Sequence, residues 1–127
     1  MTYGGQRRFV VVNKQATSLH SLISDGHYRP TSLGRDIWKA LIGSEASLQW
    51  NCNKEGFNVG GCYHSGCAVV RIGIVSNEQN DCDSCDSRLG FGGRGSPDDS
   101  ITCGNGAGSY PDNGDKNIKA MGYILVQ

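Results

Sequence analysis

Apolar positions along this chain are few, and their spacing predicts a small number of elements. Arg7-Arg8-Phe9-Val10-Val11-Val12-Asn13 is a short β-branched run between polar residues, the pattern of a buried strand. From Ala16 to Ser24 the apolar residues fall at 16, 19, 22 and 23, a helical spacing that stops near Asp25-Gly26. Pro30-Thr31-Ser32 opens a second helix, with Thr31 or Ser32 as its cap, Ile37, Trp38, Leu41 and Ile42 as its apolar face, and Gly43 as its stop. Ala46 to Cys52 reads as a strand that carries Leu48 and Trp50 into the core. A turn at Asn53-Lys54-Glu55-Gly56 and a short extended piece at Phe57-Asn58-Val59 follow. Cys67 to Val75 is the clearest strand, with Gly73 marking a bulge. Ser76 to Lys116 reads as nearly continuous loop, and so long a loop in a compact domain is usually functional. Asn117 to Gln127 closes the chain as a final core strand.

These elements predict one α+β domain over residues 1–127: a small, mostly antiparallel sheet, one or two short helices in the first third, and long disulfide-tied loops afterwards. Hydrophobic residues make up 37% of the chain and there are 19 glycines, so the core is expected to be thin. The six cysteines, Cys52, Cys62, Cys67, Cys82, Cys85 and Cys103, cluster between positions 52 and 103 and predict a disulfide framework in an oxidising, extracellular compartment. Each bridge contributes about 2–4 kcal/mol, which offsets the small core. Two other readings of the cysteines stand beside this one. Cys82-Asp83-Ser84-Cys85 has CxxC spacing but lacks the strand-to-helix setting of a redox motif, and Cys62 with Cys67 supplies a second pair for a zinc site. Met1 to Gly5 does not have the form of a signal peptide, so the expectation is a mature secreted protein with an added Met, or a piece of a longer precursor.

Twelve Lys plus Arg balance twelve Asp plus Glu, which argues against a nucleic-acid binder, and no apolar run approaches a membrane span. The loops hold the chemistry. Asn77, Glu78, Asn80, Asp81, Asp83, Asp86, Asp98, Asp99 and Asn105 offer hard oxygens on two linear patches, the donor type that Ca²⁺ takes. A solvated acidic loop, rich in Asp and Asn for turn formation, is the alternative. The EF-hand pattern is absent. His20, His27 and His64 have no nucleophile or carboxylate partner at a recognisable spacing, so no enzymatic activity is expected; His64 sits in a tight cysteine-bounded loop where it can meet a ligand. Tyr110, in a glycine-flanked loop, is the aromatic best placed to be exposed and to meet a ligand.

Several pieces in order carry a resemblance: Gly56-Phe57-Asn58-Val59-Gly60, Val70-Arg71-Ile72-Gly73-Ile74-Val75-Ser76-Asn77-Glu78, Leu89-Gly90-Phe91-Gly92-Gly93, Pro97-Asp98, Cys103-Gly104-Asn105 and the closing Ile118 to Val126. Their order resembles the carboxyl-terminal half of an intelectin (X-type lectin), within the fibrinogen-related domains, over a little more than half the chain. The resemblance implies a secreted, calcium-dependent lectin of innate immunity that binds exocyclic vicinal diols of glycans. It places calcium ligands at Asn77, Glu78, Asp86, Asp98 and Asn105, and a sugar-stacking aromatic at Tyr110. The family's histidine near Asp86 is absent, and Asn105 stands where the family has a carboxylate.

The expectation is therefore a glycan-binding protein with Ca²⁺ at its site, metal ligands drawn from Asn77, Glu78, Asp86, Asp98, Asp99 and Asn105, and sugar contacts from Tyr110, Asp86, Asn105 and His64. Weak single-site affinity is raised by several copies, so a homo-oligomer is expected. The alternative is an extracellular structural or protein-interaction domain whose loops are ordered by calcium and which binds no sugar.

Overall fold

The computed structural model of the chain describes residues 1–60 and 66–127. A small hairpin pairs β1 (Thr2–Tyr3) with β2 (Gln6–Arg7). The main sheet contains β3 (Arg29–Pro30), β4 (Asn51–Gly60), β5 (Val69–Asn77), β6 (Ser87–Phe91), β7 (Cys103–Ala107) and β8 (Lys116–Lys119). Spatial order equals chain order and every neighbouring pair is antiparallel, so the sheet is a meander without crossovers. Two short helices, α1 (Leu19–Ile23) and α2 (Arg35–Lys39), complete an α+β architecture of the kind the pattern predicts. No helix among the described residues is long and apolar enough to cross a membrane.

The core has two parts. Trp38, Leu41, Ile42, Ala46 and Leu48 pack on Phe57, Ile72, Ile74, Leu89 and Ile118 from the sheet. A smaller cluster joins Val59, Ala68, Val70, Val75 and Cys85, with Cys52 and Cys82 against it. Helix α1 is closed by a capping box between Ser18 and Ser21, each side chain bonded to the other's backbone N–H. Helix α2 starts differently from the expectation at Thr31 or Ser32: its cap residue is Gly34, which has no side chain, and the Glu55 carboxylate from β4 takes over. Glu55 accepts from the backbone N–H groups of Leu33 and Gly34 at 2.6 and 2.8 Å and from the Thr31 hydroxyl at 2.6 Å. A carboxylate at a helix N-terminus satisfies orphan donors and interacts favourably with the positive end of the helix dipole.

One row of residues sets how closely the strands approach. Gly56, Gly73, Gly90 and Gly104 face one another in register across β4, β5, β6 and β7. Their φ angles lie between 134° and 157°, and a Cβ on any of them would fall 2.0–2.2 Å from a carbonyl oxygen of the neighbouring strand. Only glycine fits here. Gly73 therefore marks no bulge; it keeps register on both sides, and the irregularity of β4 lies instead between Asn51 and Lys54. There Cys52 and Asn53 have positive φ, and Asn53 is held by Arg35, Ser76 and the Trp50 carbonyl. The turn expected at Asn53 to Gly56 is thus part of a continuous strand.

Other expectations are corrected by what the neighbouring chain provides. The strand expected at Arg7 to Asn13 ends at Arg7; Phe9 and Val11 are exposed, and Val10 and Val12 only lean on the core. The region expected as loop contains β6 and β7, whose Gly, Ser, Arg and Asn content hides them from an apolar pattern. Ala46 to Gln49 is buried but forms no strand, and side chains hold it instead of a ladder. Asn105 bonds both the N–H and the C=O of Ser47, Asp112 accepts from Leu48 N–H, and the Ser87 hydroxyl accepts from Gln49 N–H. Trp50 is 64% exposed, not core, with the Arg35 guanidinium 5.4 Å from its ring centre. The final strand stops at Lys119, and Tyr123, Leu125 and Val126 are exposed.

Two predictions follow from these packing constraints. Gly73→Ala must displace the Leu89 carbonyl and adopt a forbidden φ, so it is expected to lower unfolding free energy by at least ~2 kcal/mol in a denaturant titration. Burial alone raises the Glu55 carboxyl, yet the bonds from Thr31, Gly34 and Leu33 outweigh it and hold its pKa below the ordinary 4.5. Burial likewise raises Asp112, and its bonds to Lys39, Leu48 N–H and Arg35 bring it below 3.8. Both groups are depressed in the fold, so their stabilisation is complete above the unfolded values and is lost as pH falls below about 4. The melting temperature should be flat near neutrality and drop on acidification, and Glu55→Gln should lower it at pH 7 while flattening the acid limb.

Candidate functional site

The oxygen-rich segments are organised from within. Arg88 on β6 is 1% exposed, yet among the described residues no carboxylate pairs with it. Its guanidinium donates instead to four backbone carbonyls of one loop: Gly95 and Ser96 at 2.7 Å, Asp98 at 2.8 Å and Ile101 at 2.6 Å. Burial lowers its pKa, while Asp99 and Asp98 oppose that shift. The guanidinium acts as an internal cation around which the β6–β7 connection wraps. The loop carbonyls that would suit a hard metal ion are thereby used by a side chain of the protein.

The carboxylates of this loop sit on its outer turn. Asp98 accepts from the N–H and hydroxyl of Ser100, and these bonds, in that order, lead the causes that lower its pKa. Asp99 accepts from Gly95 N–H at 2.7 Å, and Asp86 accepts from the Ser96 hydroxyl at 2.6 Å. In each case one carboxylate oxygen is used and the other meets no donor among the described residues. Asp86, Asp98 and Asp99 are thus brought to one loop system.

The remaining expected ligands lie elsewhere. Asn77 ends β5, fully buried; its amide donates to the carbonyl and carboxylate of Asp81 at 3.0 Å and accepts from Glu78 N–H at 2.9 Å. It shapes the β5–β6 connection, where Ser84 also bonds Gln79. Glu78 is exposed at the start of that connection, and its carbonyl accepts from the Asn51 amide. Asn105 is fully buried on β7, with its oxygen on Ser47 N–H and its nitrogen on the carbonyls of Ser47 and Arg88. Its role in this geometry is to join the segment from Ala46 to Gln49 to the sheet. His64 and Cys62 lie outside the described residues. Among the described residues no three His, Cys, Asp or Glu side chains converge as a metal cluster.

A shallow polar hollow of about 180 Å³ adjoins the loop system, lined by Pro97, Ala107, Gly108, Asp115, Lys116 and Asn117. Gly108 N–H donates to the Asp86 carbonyl, and Pro97 lies between Ser96, which bonds Asp86, and Asp98. The hollow therefore shares its wall with the carboxylate loop. Tyr110, 85% exposed at positive φ, follows closely in the chain. A second hollow of about 260 Å³ lies at the other end of the sheet, by Asn58, Gly60, Val69, Arg71 and Arg94, and holds none of the expected residues.

Cys52 and Cys82 form a disulfide, and Cys67 is also disulfide-bonded. The expectation that all six cysteines are bridged is corrected at Cys85 and Cys103, which are thiols. Cys85 lies 3.8 Å from Cys52, whose sulfur is already taken by Cys82; Cys103 sits on β7 against the larger core cluster. Burial, then the neighbouring Asp86, push the Cys85 thiol up to about 11, and burial raises Cys103 as well.

Arg88, Asp115 and Asn117 were not singled out by the sequence pattern. A single Arg between Ser87 and Leu89 gives no sign that it is buried, and Asp115-Lys116-Asn117 reads as one more polar turn. No family model, no curated protein and no solved structure matches this chain. Replacing Arg88 with Met removes the donors of four loop carbonyls, so a loss of roughly 3 kcal/mol is expected, with faster amide hydrogen exchange confined to the β6–β7 connection.

Proposed function

We propose that this chain is a secreted, non-catalytic glycan-binding module of intelectin-like, fibrinogen-related type, with calcium beside its binding surface. The observation that carries the reading is the shared wall between the polar hollow and the carboxylate loop. Saccharides are recognised by planar polar groups that pair with adjacent hydroxyls and by small apolar surfaces under the ring. Asp115 and Asn117 supply the first, and Pro97 and Ala107 the second. Tyr110 adds an exposed ring for stacking.

Calcium in this reading sits beside Asp86, Asp98 and Asp99, which offer single oxygens and not a converged cluster, each keeping one carboxylate oxygen without a donor among the described residues, and not at Asn77 or Asn105, whose amides are committed inside the fold. The ion supplies oxygen coordination next to the hollow; the residues of the chain supply orientation and hydrogen bonds. The Cys52–Cys82 disulfide is the feature that favours an extracellular location. A shallow site binds weakly, and several copies in an oligomer supply avidity.

A second reading rests on the exposed apolar side chains of Phe9, Tyr123, Leu125 and Val126, which suit a structural or protein-interaction domain that binds no sugar. One set of measurements separates the two. The lectin reading expects binding to a glycan surface that EDTA abolishes and that Asp115→Asn weakens roughly tenfold, the loss of about one good polar contact. Calcium that raises the melting temperature while no saccharide surface is bound would favour the interaction domain and overturn the lectin.

A further inference from the structure

The smaller core cluster holds three sulfurs where the chemistry of a structural bridge needs two. Cys52 and Cys82 are joined, and the Cys85 thiol, fully buried, lies 3.8 Å from the Cys52 sulfur. Its S–H points to the Cys82 carbonyl at 3.5 Å. Val59, Ala68, Val70 and Val75 pack around this group, so thiols from solvent have poor access while the internal thiol is in contact. Cys82 and Cys85 stand on the same connection between β5 and β6, and Cys52 stands on the irregular part of β4. We propose that Cys82 and Cys85 are alternative partners for Cys52, and that the chain interconverts between a Cys52–Cys82 and a Cys52–Cys85 disulfide.

The step is thiol–disulfide exchange within one molecule. During a local opening that admits water, the Cys85 thiol gives its proton to that water, and its sulfur attacks the adjacent Cys52 sulfur. A bond forms between Cys85 and Cys52 as the bond from Cys52 to Cys82 breaks. Cys82 leaves with the electron pair and takes up a proton. One disulfide and one thiol are present before and after, so no oxidant or reductant is consumed. Contact within one folded chain gives the internal thiol a large advantage over external ones.

The exchange matters because Cys82 anchors the connection that carries Glu78, Asp81 and Asp83. With Cys52 joined to Cys82, that anchor sits within the turn shaped by Asn77 and Ser84. With Cys52 joined to Cys85, the anchor moves to the residue beside Asp86, and the acidic turn is released from β4. The device thereby switches how tightly one oxygen-rich surface is held. It stands independently of the saccharide reading.

Disulfide mapping of the full chain tests it. The folded protein is incubated at neutral pH without reductant, quenched in acid, alkylated under denaturing conditions and digested for mass spectrometry. The expected wild-type result is a Cys52–Cys85 linked peptide beside the Cys52–Cys82 one, with alkyl label divided between Cys85 and Cys82. In Cys85→Ser the label on Cys82 should fall severalfold, to the level set by scrambling during work-up. In Cys82→Ser the chain should carry a Cys52–Cys85 link in place of two labelled thiols. Wild-type protein in which, after prolonged incubation, all Cys52 is linked to Cys82 and only Cys85 of the pair is labelled overturns the proposal, whatever the variants do.

Discussion

The sheet depends on a row in which no side chain is possible. Gly56, Gly73, Gly90 and Gly104 bring four consecutive strands together at one level, and at each a neighbouring carbonyl occupies the space that a Cβ would need. The row lets the backbone adopt φ values closed to other residues and keeps the strands in register through their middle. Phe57, Ile72, Ile74 and Leu89 lie directly beside it and form the sheet side of the main core. A high glycine content, which by composition reads as weakness and loop, is at these positions the condition for pairing.

Away from that row, buried polar side chains do work that strands and helix caps commonly do. Glu55 caps α2, Asn105 and Asp112 hold Ala46 to Gln49 in place of a ladder, and Arg88 holds the β6–β7 connection. Each is a charged or amide group whose buried atoms are bonded, largely to backbone and for Asp112 also to Lys39 and Arg35, which is how such groups are tolerated out of water. A chain with a thin apolar core gains specificity this way, because only one arrangement satisfies all of them at once. The functional consequence is that the oxygen-rich loops are shaped before any partner arrives. The guanidinium of Arg88 fills the inside of the loop, and the carboxylates of Asp86, Asp98 and Asp99 keep an oxygen each on its outside.

The candidate site was only partly legible in the sequence. Asp86, Asp98 and Asp99 belong to one loop system, as a reading of acidic patches suggests, but Asn77 and Asn105 are drawn inward. An Asn in a loop motif looks the same whether its amide faces water or a backbone three strands away. The hollow beside the loop is lined by Asp115 and Asn117, which become neighbours of Pro97 only because β8 returns alongside β7. The cysteines divide in the same way: their number announced a bridge, while the contact that leaves Cys85 unbridged beside Cys52 is a matter of distances.

By itself the sequence determined the class of the fold, the clearest strand (read at Cys67 to Val75 and found at Val69–Asn77), the two short helices and the existence of a disulfide, because apolar spacing, turn residues and cysteine number act locally along the chain. Tertiary structure alone decided that Ser87–Phe91 and Cys103–Ala107 are strands, that Trp50 is outside and Arg88 inside, and that Phe9 to Val12 form no strand. Those outcomes turn on whether a partner strand, a carbonyl or an open edge stands opposite a given residue. That is a property of residues far apart in the chain, and no local pattern records it.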